Sequence, residues 1–216
     1  MKAILTCAGI LGGLMSTPAF KIPNFTLNGS TPLKIRAAKE KDVIETTELI
    51  RSAYSYWVEN NVIVSPATQS VDKTRSHLLE GRGFVAIDST GVTRATFSLD
   101  NIYLKVRNET FTAHAEHAAK DIDYERISSE LIVDGRYLEF KKLAVDRDLG
   151  EQGIGRSLYD VAEEYARSNG YNGVILETVK EATWLYEWYL RMGFKVYGKH
   201  IYEGSKLETL LLVKQF

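Results

Sequence analysis

The chain has 216 residues, 44% of them hydrophobic and 25% charged, which is typical of a soluble globular protein long enough to bury a full core. Its formal net charge of -1 provides no overall field that would favour nucleic acid or an anionic membrane. The single cysteine, Cys7, lies in the first segment, so the rest of the chain has no disulfide, cysteine nucleophile or cysteine-based zinc site.

The first 32 residues are predicted to lie outside the folded domain, as a signal peptide or an irregular tail. Lys2 precedes an apolar stretch at residues 3–15, a pattern similar to that of secretory signal peptides. The alternative is that Met15 is the true start and begins an ordinary cytosolic chain. The protein is therefore expected in the cytoplasm, or in an exported form if residues 1–19 are cleaved.

Hydrophobic periodicity predicts five elements in the first half of the folded part. After Asp42, which can cap a helix, Val43, Thr47 and Ile50 follow spacings of four and three. A turn around Gly91 separates two apolar runs and indicates a hairpin. The predicted elements are a strand at Leu33–Ala37, helices at 42–59 and 71–79, and strands at Gly83–Ile87 and 92–99.

Residues 101–135 are the hardest part of the sequence to assign. Residues 103–106 could prolong the preceding strand, whereas residues 112–127 are rich in alanine and charge and are predicted to be helical. On such a helix His114 and His117 would share a face, as positions three apart do. The second half of a ligand set is missing, so no metal site is predicted.

The remainder of the chain alternates strands and helices. Leu158, Ala162 and Tyr165 share one face of a predicted helix, and Gly170 follows at its end. The predicted elements are strands at 137–145 and 174–176, helices at Ile154–Ser168 and 182–192, and strands at 194–202 and 207–214.

A glycine-containing turn joins the strand at 137–145 to the following helix. Gly150, Gly153 and Gly155 lie where the first helical N–H groups have no intrahelical partner and where the helix dipole favours negative charge. Glycines let a pyrophosphate approach the backbone closely. The spacing matches neither a P-loop nor a dinucleotide fingerprint. The turn is thus either another kind of phosphate site or a tight turn with helix-packing glycines.

Residues 145–158 resemble motif A of the GNAT superfamily of N-acetyltransferases. Gly153 and Gly155 match the two small positions of that motif, whereas Gly150 occupies the usual Arg or Gln position. A second resemblance is the run from Tyr189 to Gly193 and Phe194, which is similar to the family pattern Tyr-x-x-x-Gly-Phe. The likeness covers residues 33–216.

The resemblance implies a mixed α/β domain over residues 33–216, with an insertion at about 101–135. Its sheet would be mostly antiparallel, with six to seven strands flanked by helices and a splayed parallel pair formed by the fourth and fifth strands. Acetyl-CoA would bind there as co-substrate, and the acetyl group would pass directly to a primary amine on a small molecule or peptide. The positions that match the CoA-binding residues of the family are Leu143, Val145, Gly150, Glu151, Gln152, Gly153, Ile154, Gly155 and Arg156.

Two catalytic residues follow from the same resemblance. Tyr189 matches the phenol that protonates the leaving thiolate, and Tyr186, about a turn earlier, is its competitor. Glu139 matches a general base that acts directly or through water. The alternatives are that Tyr189 is one more aromatic on an apolar helix and that Glu139 is a solvated strand residue paired with Lys141.

A rival function is a CoA-binding or protein-interaction module of the same fold that has lost catalysis. The missing side chain at Gly150 and the signal-like start both favour this alternative. The insertion is expected to shape the acceptor site or a homodimer contact and to contribute nothing to CoA binding. Neither nucleic acid nor a membrane is predicted as a partner.

Overall fold

The computed structural model describes residues 20–22, 25–27, 32–59, 62, 64–79, 82–117, 120–128, 130 and 132–216. Of the predicted signal peptide or irregular tail over residues 1–32, residues 1–19 lie outside this part, whereas Phe25–Leu27 form a strand of the sheet; Ala118 and Ala119 of the predicted helix also lie outside it. Within the described ranges, no helix is long and apolar enough to cross a membrane.

Four α-helices form in the described residues, each close to its predicted bounds. The predicted cap of the first helix by Asp42 is wrong: Asp42 ends a 3-10 turn at Glu40–Asp42 that leads into the helix, and its carboxylate accepts the Lys39 N–H of that turn at 2.8 Å and pairs with Arg36. Ser70 caps the second by accepting the Lys73 N–H at 3.1 Å. The helices are α1 (Val43–Glu59), α2 (Val71–Leu78), α3 (Ile154–Ser168) and α4 (Thr183–Arg191).

Ten strands in the described residues form one sheet. They are β1 (Phe25–Leu27), β2 (Leu33–Ala37), β3 (Gly83–Ile87), β4 (Thr93–Val106), β5 (Thr110–Ala115), β6 (Lys120–Arg126), β7 (Gly135–Val145), β8 (Gly173–Val179), β9 (Lys195–His200) and β10 (Thr209–Gln215). They pair in the order β1-β2-β3-β4-β5-β6-β9-β10-β8-β7, and β4 also pairs with β7. All pairs are antiparallel except β7–β8. The predicted fold class is confirmed, with three strands more than the seven expected at most.

The predicted helix at residues 112–127 is wrong, because this segment forms the hairpin β5–β6. Phe111, Ala113 and Ala115 alternate along β5 and are buried, which is the period of a strand. Tyr124 of β6 stacks on Phe111 with ring centroids 5.2 Å apart. This packing outweighs the helix propensity of the alanines, and the shared helix face of His114 and His117 does not exist.

The hairpin strands β5 and β6 pack across one face of the central strands β7, β8 and β10, and α3 packs on the opposite face of those strands. On the hairpin side, Phe111 and Tyr124 join buried residues of the central strands, among them Tyr137, Ile175 and Leu211. On the α3 side, the core is formed by residues such as Leu138, Phe140, Leu158, Tyr159 and Leu176. The insertion is therefore part of the folded core.

The parallel strands β7 and β8 separate soon after they meet. Their register is limited to Leu138 with Val174 and Glu139 with Ile175. Beyond that point β7 carries a bulge, where Lys142 adopts a left-handed conformation with φ 55°. The cleft between the two strands is where the predicted site residues lie.

Candidate active site

Two cavities open along the splayed strands and meet at a shared wall. One, the glycine-turn cavity, has a volume of about 770 Å³ and is lined by the turn before α3. The other, the carboxylate cavity, has about 700 Å³ and is lined by Glu139 and Glu177. Their shared wall is formed by Tyr54, Trp57, Leu143, Leu185 and Tyr189.

The glycine turn leaves the start of α3 open to the first cavity. Gly153 stands before the helix at φ 76°, a conformation that favours glycine, and its carbonyl accepts the Ser157 N–H at 3.0 Å. The N–H groups of the three residues between them, Ile154, Gly155 and Arg156, therefore have no intrahelical acceptor. This arrangement can hold an anionic group by backbone hydrogen bonds and the helix dipole.

The structure brings together eight of the nine residues that the sequence assigns to CoA binding. The exception is Gln152, which is exposed and does not line the glycine-turn cavity. The residues that line it are Leu143, Val145, Gly150, Glu151, Gly153, Ile154, Gly155 and Arg156. Their contact with CoA stays a prediction.

Two arginines border the same cavity. Arg147 donates to the Ser55 hydroxyl at 2.9 Å and lies 3.4 Å from Glu59. Arg156 pairs with Asp160 at 2.7 Å. Both pairs are exposed, so they are weak, and either guanidinium can turn towards an anion at small cost.

Tyr189 is buried at the end of α4 and lines both cavities. Its ring packs against Trp188 and Phe194, with centroids 4.9 and 5.7 Å away. Burial, with a smaller contribution from Tyr54, raises the pKa of Tyr189 far above its ordinary value. The competitor Tyr186 lines neither cavity, so the geometry favours Tyr189.

Glu139 lies on β7 in the carboxylate cavity and is paired with Lys141, as the sequence alternative proposed. The two side chains approach to 2.8 Å, and Lys141 also lies 2.9 Å from the buried Asp100. Burial lowers the pKa of Lys141, but the two carboxylates outweigh it and raise that pKa. The pairing with Lys141 is present, but the Glu139 side chain is largely buried in the cavity and not solvated; its role as general base stays a prediction.

Sequence reasoning missed a second carboxylate in the same cavity. Glu177 on β8 accepts hydrogen bonds from the phenols of Tyr124 and Tyr202. Burial and the nearby charge of Glu139 raise the pKa of Glu177, and the two phenols oppose this rise only in part. Glu177 directly follows the apolar run of β8, and this is the one signal in the sequence that could have indicated it. Its partners Tyr124 and Tyr202 come from elements distant in sequence.

Sequence reasoning also missed a basic group of residues in the carboxylate cavity. Lys73 and His77 face it from α2, and Lys142 faces it from the β7 bulge. Burial and the charges of nearby lysines lower the pKa of Lys142 to about 8 and that of His77 to about 3. The cavity thus carries both acidic and basic groups.

The fold is that of GNAT acetyltransferases, and a model of that family matches part of the chain. The Acetyltransferase (GNAT) family model matches residues 101–194. No curated protein matches the chain by sequence. This match confirms the predicted resemblance to the GNAT family over those residues.

Solved structures of acetyltransferases share this fold. A GNAT-family acetyltransferase from Streptococcus agalactiae aligns with TM-score 0.61 and 14% identity, over 88% of this chain and 99% of that one. Arabidopsis thaliana NAA60 in complex with acetyl-CoA aligns with TM-score 0.58 and 14% identity, over 85% and 98%. The ribosomal-protein-S18-alanine N-acetyltransferase from Escherichia coli aligns with TM-score 0.55 and 13% identity, over 85% and 93%. At these identities the likeness establishes the fold.

Proposed function

We propose that this protein is an acetyl-CoA-dependent N-acetyltransferase that moves an acetyl group directly to a primary amine on a small molecule or peptide. The observation that carries the proposal is the shared wall at Leu143 and Tyr189, where the two cavities meet. Acetyl-CoA enters from the glycine-turn cavity, and the amine enters from the carboxylate cavity. The likeness to NAA60, which was solved with acetyl-CoA, supports this assignment.

In this mechanism acetyl-CoA is bound mainly by backbone N–H groups. The pyrophosphate lies against the free N–H groups at the start of α3, and Arg147 and Arg156 add positive charge in place of a side chain at Gly150. The pantetheine arm follows β7, where the backbone N–H groups near Leu143 and Val145 hold the acyl carbonyl.

Transfer then needs two protons removed from the acceptor ammonium and one supplied to the departing thiolate. Glu139 takes a proton from the acceptor ammonium, directly or through water, and the neutral amine nitrogen attacks the thioester carbonyl carbon. The carbon–sulfur bond of the tetrahedral adduct then breaks, and the nitrogen releases its second proton to water, which leaves a neutral amide. Tyr189 donates its phenolic proton to the departing thiolate, and the raised pKa keeps that proton in place at neutral pH.

Direct transfer is proposed because Cys7 is the single cysteine of the chain and the cleft contains none. The acetyl group therefore goes from sulfur to nitrogen without an acyl-thiol intermediate on the cleft.

The rival is a CoA-binding module without catalysis, and one observation favours it. Gly150 has no side chain at the position where the family pattern has Arg or Gln, which removes a phosphate contact. Thiol release with acetyl-CoA and a panel of primary amines separates the two functions. Amine-dependent release supports the enzyme. Tight CoA binding without release for any amine supports the module.

A further inference from the structure

We infer that the acceptor is an amino acid, a molecule that presents a carboxylate as well as the amine, and that the carboxylate binds the group formed by Lys73, His77 and Lys142. This inference rests on the proposed function and names the substrate class of the same site. Such a molecule is a zwitterion. Its ammonium group would face Glu139 and Glu177, and its carboxylate would face the basic group.

The pairing of charges in the carboxylate cavity is the first part of the argument. Lys141 lies between Glu139 and Asp100, within 2.9 Å of both. Glu177 is held by the phenols of Tyr124 and Tyr202. These acidic groups thus have partners within the fold: Lys141 for Glu139 and Asp100, and the two phenols for Glu177.

Lys142 has no comparable partner. It is half-buried, and among the described residues no carboxylate lies within 4.0 Å of its ammonium group. Its left-handed backbone, with φ 55°, is strained for a lysine and directs this residue to the cavity. The lowered pKa of about 8 agrees with a cation that is short of negative charge. A buried cation in this state gains most from an anionic ligand.

His77 provides a second unsatisfied group on the same side. Both of its ring nitrogens are buried, and neither has a hydrogen-bond partner within the described part of the chain. Buried polar atoms in folded proteins nearly always have partners, so this ring is expected to receive one from a ligand. With its pKa lowered to about 3, the ring is neutral and can donate one N–H to a carboxylate. Lys73 lies one turn earlier on α2 and faces the same cavity.

The ammonium group of a simple alkylamine can lie beside Glu139 and Glu177, but the molecule leaves Lys142 and His77 unpaired. An amino acid satisfies both walls at once, because its ammonium group faces Glu139 and Glu177 while its carboxylate faces the basic group. A volume of about 700 Å³ leaves room for a side chain or a short peptide beyond these two ends.

The test compares matched acceptors with one to five carbons between amine and acid. Each amino acid is assayed beside its carboxamide and the alkylamine of the same length, by thiol release with acetyl-CoA. For the best spacing, kcat/KM for the amino acid should exceed that for the carboxamide by at least about 10-fold, as charge-assisted hydrogen bonds predict. In Lys142→Met this ratio should fall to about 2-fold or less. Lys105→Met, on the exposed part of β4, is the control and should keep the ratio.

The outcomes separate the inference from the proposed function. Equal kcat/KM for amino acids and carboxamides, or a ratio that survives Lys142→Met, overturns the inference and leaves amine acetylation standing. Turnover of no amine, in a protein that binds acetyl-CoA by calorimetry, overturns both. Circular dichroism and acetyl-CoA affinity of Lys142→Met show whether the variant is folded, and Lys142→Gln provides a second variant.

Discussion

The backbone N–H of Phe194 donates to the carbonyl oxygen of Tyr189 at 3.2 Å, across Gly193 at φ 90°. This bond closes the end of α4 in the manner of a Schellman motif, which requires a residue that tolerates the left-handed conformation. The turn explains why the tyrosine and the Gly-Phe pair occur together, and it fixes Tyr189 at the wall shared by the two cavities.

Tyr189→Phe should lower kcat by on the order of 10²-fold, because the packing remains and the proton donor is lost. Acetyl-CoA affinity should change little. Tyr186→Phe, on the same helix but outside both cavities, is the matched control and should keep its kcat. Steady-state rates at saturating acetyl-CoA, with chemistry rate-limiting, measure this. Full activity in Tyr189→Phe means that the general acid is another group.

Gly155→Glu should abolish CoA binding in a folded protein, since it puts a carboxylate beside the free N–H groups of α3. Gly155→Ala is the control: an added Cβ would meet Leu143, Trp188 and Val145 at 3.6 to 3.9 Å, which is ordinary contact. Calorimetric titration with CoA should show near-normal affinity for the alanine variant. Unchanged affinity in Gly155→Glu contradicts the phosphate site.

Tyr124→Phe tests the link between the hairpin and the carboxylate cavity. The change keeps the stacking on Phe111 and removes one hydrogen bond to Glu177. The KM for the amine should change by about 2- to 10-fold, the effect of one hydrogen bond, while the dissociation constant for acetyl-CoA stays the same. Tyr137→Phe, whose phenol donates to the Val133 carbonyl, is the control. A change confined to acetyl-CoA affinity contradicts this role.

Lys142→Met should stabilise the protein at pH 7, by ~2 kcal/mol, because a cation with a lowered pKa destabilises the folded state. The pKa is about 8 in the fold and 10.5 ordinarily, so between these values the unfolded chain binds more protons. The free energy of unfolding of the wild type therefore rises between pH 8 and pH 10.5. The stability advantage of Lys142→Met shrinks over the same range and is lost above it. Urea denaturation at pH 7 and 10 measures it, with Lys105→Met as reference. An advantage that grows with pH contradicts the lowered pKa.

Local patterns were sufficient for most of the fold. The apolar spacing of α3, the turn closed by Asp42 and the cap at Ser70 depend on residues close in sequence, so their elements were found within a few positions. The alternation of Phe111, Ala113 and Ala115 was equally available, but alanine content suggested a helix. The segment forms a strand because Phe111, Ala113 and Ala115 pack together in the core, and this packing depends on residues distant in sequence.

The candidate site could be predicted only where one segment carries it. The glycine turn and the Tyr189 turn are contiguous motifs and were located from the sequence. The group around Glu177 combines β6, β8 and the loop after β9, and the basic group combines α2 with a bulge. These juxtapositions depend on long-range topology. Removing residues 110–129 would therefore disrupt the core, and Tyr124→Phe is the better probe of the insertion.

A single-turnover reaction with acetyl-CoA labelled in the acetyl carbon tests the central proposal most directly. The intact protein and the small-molecule products are followed by mass spectrometry over the same time course, with an amine that supports thiol release. Direct transfer predicts that the label appears on the amine nitrogen in step with free CoA, while the mass of the protein stays unchanged. Label that appears first on the protein and then on the amine, or free CoA without an acetylated amine, contradicts the account.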